Sequence, residues 1–177
     1  MENYTKSVSN DDTTALVAFD GTWQIENLQE IFTNQPHITS TSISPPGREE
    51  PKFYFTICQC DNAACELRFG EPGEVAIYLF RESSSKEEET IRWSVSIQGL
   101  YEVKSEPRGI PVYTLIELFG IYFCLIVTVY RKKFTSTLNH YGGKLMSREE
   151  LLNPANGWIF ENDTLRLHWK VIQSHKF

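Results

Sequence analysis

The residues from Thr164 to Ile172 leave this chain little choice of structure. Leu165, Leu167, Trp169 and Val171 alternate with Thr164, Arg166, His168 and Lys170. That period of two is the pattern of a strand with one buried and one wet face. The residues before it are equally directive. Ser147 followed by Glu150 is a capping box, in which each side chain satisfies a free backbone N–H at a helix start. Leu151 and Leu152 give that short helix an apolar side, and Asn153-Pro154 ends it, because a residue before proline disfavours helical backbone. Asn156-Gly157 supplies a turn, since both residues tolerate positive φ. Residues 147–172 therefore predict helix, turn and strand. By themselves they carry no chemistry.

The same alternation recurs upstream. Val17, Phe19, Trp23 and Ile25 read as a strand interrupted at Asp20-Gly21, with a brief helical turn expected over Asn27–Phe32. Pro45-Pro46-Gly47 marks a loop, after which Phe53, Phe55 and Ile57 resume. Asp61-Asn62 is a hairpin signal, with Leu67 and Phe69 on the return strand. Val75, Ile77 and Leu79 alternate with Ala76, Tyr78 and Phe80, so that strand carries apolar groups on both faces. A polar loop, Ser83–Glu89, leads to Ile91, Trp93, Val95 and Ile97, alternating with Arg92, Ser94, Ser96 and Gln98. Short strands, regular turns and little helical periodicity predict an all-β antiparallel sandwich or barrel. The polar residues 1–15 read as a disordered tail and 173–177 as a C-terminal tail, leaving one domain over 16–172.

Composition narrows the function. The chain has 177 residues, 17 Lys plus Arg against 23 Asp plus Glu, and a net charge of −6. An acidic protein without a basic aromatic cluster is not built for nucleic acid or an anionic membrane. No apolar leader opens the sequence, so Cys58, Cys60, Cys65 and Cys124 are expected in a reducing cytoplasm or nucleus. No Cys-x-x-Cys pair or neighbouring histidine accompanies them, and neither a metal nor a cofactor is expected. The sequons at Asn3 and Asn162 are then expected to be unmodified.

One stretch resists this reading. Tyr113–Tyr130 is 18 residues with only Glu117 charged, followed by Arg131-Lys132-Lys133. The length and basic flank meet the minimum for a membrane span. Its β-branched and aromatic content, Glu117, and Gly120 as a dividing point favour two strands instead.

Three separated segments resemble the MATH (meprin and TRAF homology) domain, most closely that of speckle-type POZ-like proteins. They are Trp23-Gln24-Ile25-Glu26-Asn27-Leu28, the strand–loop–strand Val75–Gln98, and Ser147–Val171 with its Leu151-Leu152-Asn153-Pro154-Ala155-Asn156-Gly157 and Asn162-Asp163-Thr164-Leu165. The resemblance implies an eight-stranded antiparallel β-sandwich with one short helix before the last strand. It implies a binding module and not an enzyme: a groove for an extended Ser/Thr-rich peptide, in a substrate-recognition module of cullin-RING ubiquitin ligase adaptors. Backbone hydrogen bonds set register along such a ligand and aromatic pockets set selectivity. Carried over in register, Tyr78 and Trp93 are expected in the groove, with Tyr113 as a second tyrosine. Tyr141-Gly142 stands where the family has Trp-Gly.

The departures are specific. The family's Lys-Asp-Trp-Gly-Phe stretch is here Asn139-His140-Tyr141-Gly142-Gly143-Lys144, and the upstream segment 113–140 diverges. A BTB/POZ domain has no room before Phe177, which implies a truncated or decoy-like relative coupled only through BTB-containing family members in trans. Ile38-Thr39-Ser40-Thr41-Ser42 itself fits the ligand pattern, but so short a pattern recurs by chance and a Ser/Thr-rich loop or edge strand is the expected reading.

Catalytic arrangements are lacking in the sequence. There is no Gly-x-Ser-x-Gly, His37, His140, His168 and His175 are scattered, and Gly142-Gly143-Lys144 is no phosphate loop. The alternative from another class is a lipocalin-like barrel enclosing a small apolar ligand, suggested by Gly21-Thr22-Trp23. A filled sandwich core favours the first reading and an enclosed cavity the second.

Overall fold

The computed structural model describes residues 4–8, 14–60, 71–82, 89–101, 113–118, 121–135, 139–160 and 162–176. These form two antiparallel sheets packed face to face. The large sheet has seven strands: β1 (Tyr4–Val8), β2 (Thr14–Ile25), β6 (Glu89–Tyr101), β7 (Tyr113–Leu118), β8 (Ile121–Phe134), β10 (Ile159–Phe160) and β11 (Thr164–Lys176). Their order is β1-β2-β11-β6-β8-β7, with β10 a short partner of β11. The small sheet has four strands in the order β3 (His37–Thr39), β4 (Phe53–Gln59), β5 (Glu74–Arg81), β9 (His140–Ser147). Helices α1 (Leu28–Asn34) and α2 (Arg148–Leu152) and a 3-10 turn at Pro154–Asn156 complete the described chain.

The alternating patterns do what their periods require. Leu165, Leu167, Trp169 and Val171 of β11 point inward with Ile91, Trp93, Val95 and Ile97 of β6, and all eight are buried. From the small sheet, Phe53, Phe55, Ile57, Val75, Ile77 and Leu79 fill the same core. Rings join the layers: Phe55 meets Trp93 at 5.6 Å and Trp169 at 5.9 Å, and Phe19 meets Phe53 at 6.1 Å. The sandwich interior is thus filled by side chains, where the barrel alternative needs one closed sheet.

Four expectations change. The strand count among the described residues is eleven, not eight, because β1, β3 and β10 lack an apolar period long enough to read. Residues 4–8 are not a tail but a strand in register with β2, Tyr4 opposite Phe19 and Val8 opposite Ala15. The C-terminal tail is likewise strand, since β11 runs to Lys176 opposite Thr14. Finally, β2 is unbroken at Asp20-Gly21. Gly21 is there for space, because a Cβ would sit 2.6 Å from the Trp169 indole.

The closing stretch forms as its chemistry dictates. Ser147 Oγ accepts the Glu150 N–H at 3.0 Å, capping α2, and Gly157 takes the left-handed conformation at φ 65°. Residues 113–118 and 121–130 of the apolar run lie in the strand pair β7–β8, in register from Tyr113 opposite Ile126 to Leu118 opposite Ile121, while Gly120 lies outside the described residues. No helix among the described residues is long and apolar enough to cross a membrane. The Asp61-Asn62 hairpin with Cys65, Leu67 and Phe69, and the loop 83–88, lie outside the described residues.

Candidate functional site

The site follows from where β9 ends the small sheet. Among the described residues β9 pairs on one side only, with β5. Arg81 N–H donates to Asn139 C=O at 2.7 Å, which fixes the phase of the ladder. In an antiparallel pair, residues that exchange bonds alternate with residues whose backbone groups turn away. Tyr141 and Gly143 therefore bond toward β5, opposite Leu79 and Ile77. His140, Gly142 and Lys144, opposite Phe80, Tyr78 and Ala76, turn theirs to the open edge. The Lys144 carbonyl is met there by the Tyr130 hydroxyl, which donates to it at 3.2 Å.

Aromatic side chains flank this edge on both faces. On the outer face, Tyr54, Phe80 and His140 are in register across β4, β5 and β9. Tyr54 stacks on Phe80 at 5.0 Å, and Phe80 on His140 at 5.0 Å. Burial, and then the charge of Glu82, push the Tyr54 phenol above its ordinary pKa. On the inner face, Tyr141 lies edge-on to Tyr130 at 6.0 Å, and Tyr130 stacks on Trp93 at 4.2 Å. Lys132 Nζ sits 5.0 Å above the Tyr141 ring, a cation–π contact. Burial, with Tyr141 beside it, pushes the Tyr130 phenol up to about 12. At the far end, Lys144 pairs with Glu74. That hydrogen bond holds the Glu74 carboxyl below its usual range and raises Lys144.

Each residue expected in the groove now has a position. Gly142 and Tyr78 are directly opposite on β9 and β5. The need for glycine is local, since a Cβ at Gly142 would lie 2.0 Å from the Ile77 carbonyl oxygen. Tyr78 is only 1% exposed, packed with Cys58 and Ala76 on the outer face of the small sheet. Trp93 is also 1% exposed but points into the core between the sheets. Tyr78 thus faces outward from the small sheet while Trp93 points inward from the large one, and they line no common surface. Tyr141 is half-buried at the edge itself. Tyr113 begins β7, at the other side of the large sheet from β2, and its side chain is outside the described residues.

Tyr54, Phe80, Tyr130, Lys132 and His140 were not expected in a site. A signal for Phe80 was present: β5 is apolar on both faces, which implies a second covered surface beyond the core. The ligand-like segment Ile38–Ser42 is an edge strand and its extension. Ser40 N–H donates to Phe55 C=O at 2.9 Å, and Phe55 N–H donates to Ser40 Oγ at 2.9 Å.

No family model matches the sequence, and no curated protein matches it.

Proposed function

We propose that this chain is a non-catalytic peptide-binding module of MATH type that takes an extended Ser/Thr-rich segment along the open edge of β9. The observation that carries the reading is the outward-turned backbone of His140 and Gly142 between two aromatic flanks. A strand added there gains main-chain hydrogen bonds, while its alternate side chains meet His140 and Phe80 on one face and Tyr141 and Lys132 on the other. Tyr78 and Trp93 act from beneath, holding β5 and Tyr130 in place without touching the ligand. The filled core supports this reading over a cavity that binds a small apolar molecule. In the same reading no cofactor is needed, and the captured segment belongs to a substrate protein presented to BTB-containing family members in trans for ubiquitination.

The test is amide exchange with and without a peptide of apolar-polar-Ser-Thr-Ser form. The His140 and Gly142 amides exchange faster than those of Tyr141 and Gly143 in the unbound protein and slow on peptide addition. His140→Pro removes an edge donor at a position where an edge strand tolerates proline. It is expected to weaken binding about fivefold or more, the worth of one hydrogen bond. Unchanged exchange at His140 and Gly142 with saturating peptide would refute the edge reading.

A further inference from the structure

The outer face of the large sheet carries a cluster of cations away from the β9 edge. On β6, Ile91, Trp93 and Val95 are buried, so Arg92 and Ser94 stand on the opposite face. The registers place Arg131 of β8 directly opposite Arg92, and Lys170 of β11 directly opposite Ser94. Three exposed cations therefore surround one hydroxyl on adjacent strands of a protein whose net charge is −6. Directly opposed side chains have Cβ atoms about 5 Å apart, where like charges destabilise a sheet. Among the described residues neither guanidinium is in an ion pair. Asp20, opposite Lys170 on β2, is the acid in register with the cluster, and it balances one charge of three. Arg166, farther along β11 on this face, already lies over the Phe160 ring at 4.5 Å.

Between Arg92 and Lys170 is a shallow cavity of about 190 Å³, lined also by Ser94, Val129 and Ile172; Arg131 does not line it but stands in register opposite Arg92. Val129 is 55% exposed. The chemistry selects a ligand with two negative charges on a small group and a short apolar stem. A carboxylate neutralises one cation. A phosphate monoester carries close to two charges and offers three acceptor oxygens, which match two guanidinium forks, an ammonium and a hydroxyl. Val129 and Ile172 can cover the methylene or methyl carbon that bears it. The site is open on a sheet face, which suits a residue in an extended chain better than an enclosed nucleotide. The overall negative charge disfavours polyanions such as nucleic acid or an anionic bilayer.

We propose that this face docks a protein segment bearing a phosphoserine or phosphothreonine, with Arg92 and Arg131 holding the phosphate and Lys170 and Ser94 completing its shell. The experiment uses a labelled degenerate peptide pool with one fixed phosphothreonine, the same pool with threonine, and vesicles of phosphatidylcholine carrying a phosphoinositide. The full chain is expected to bind the phosphorylated pool at least about tenfold more tightly than the threonine pool. The preference should shrink as salt rises. The double variant Arg92→Gln, Arg131→Gln loses the preference while its unfolding midpoint stays level or rises, because an uncompensated repulsion is removed. Equal affinity for the two pools overturns the proposal, as does a preference that survives in the double variant. Capture on the vesicles without binding of the phosphorylated pool also overturns it, by assigning the face to a lipid headgroup.

Discussion

At Gly142 a single missing carbon decides whether β9 can close on β5. With the Ile77 carbonyl 2.0 Å from where a Cβ would stand, Gly142→Ala must push the two backbones apart. We expect it to cost about 3 kcal/mol, the upper part of the range for overpacking, measured by urea unfolding. Trp93 fails in the opposite way. It is 1% exposed between Phe55 and Tyr130, so Trp93→Ala leaves a cavity and should cost about 3–5 kcal/mol. Neither variant reports on peptide contact, because both act through the fold. That distinction was invisible in the sequence. An aromatic residue in an alternating strand is legible as buried, but alternation does not say whether its face looks at the second layer or at a ligand.

At the level of elements, the most legible pieces are those whose local chemistry agrees with their packing. The helix α2 is the clearest. Its Ser147 cap accepts the Glu150 N–H, so Ser147→Ala should cost about 1 kcal/mol and lower the thermal midpoint without altering β11. The pieces missed are those held by partners and not by pattern. Strand β1 is Tyr-Thr-Lys-Ser-Val, too polar and short to show a hydrophobic period, yet it is laddered onto β2. Asp20-Gly21 has turn chemistry, but Trp169, distant in sequence, occupies the space a Cβ at Gly21 would take, and β2 runs through both residues. The β9 edge was half legible: Tyr141 and Gly142 could be placed by resemblance. The open side of β9 depends on which strands pair with it, which no local residue states.

Across the whole molecule, the two sheets meet at a seam centred on Tyr130. It stacks on Trp93 of the large sheet while its hydroxyl donates to Lys144 of the small one. Its phenol ionises near 10 in the unfolded chain and near 12 in the folded one. The neutral form is therefore favoured by folding, and the folded state holds the proton longer. That contribution is fully present below pH about 10 and is lost as pH rises from about 10 to about 12. Urea midpoints measured at successive pH values should fall across that window, with Tyr54 adding a smaller effect of the same sign. Tyr130→Phe should flatten most of the fall. The assignment of β5 and β6 to different sheets was the largest step the sequence left open. Both strands alternate, and only the sheet each one joins puts Tyr78 in one layer and Trp93 in the other.

Strand β11 lies between β2 and β6 in the large sheet, yet it follows every other described strand in chain order. During synthesis, β2 and β6 emerge with their facing edges empty and wait for a partner that the ribosome delivers after the other described strands. A nascent chain stalled before Thr164 thus leaves two long strands each with one open edge, the kind of surface that recruits chaperones or aggregates. The β1-β2 half and the β6-β8-β7 half of the large sheet are joined only through β11.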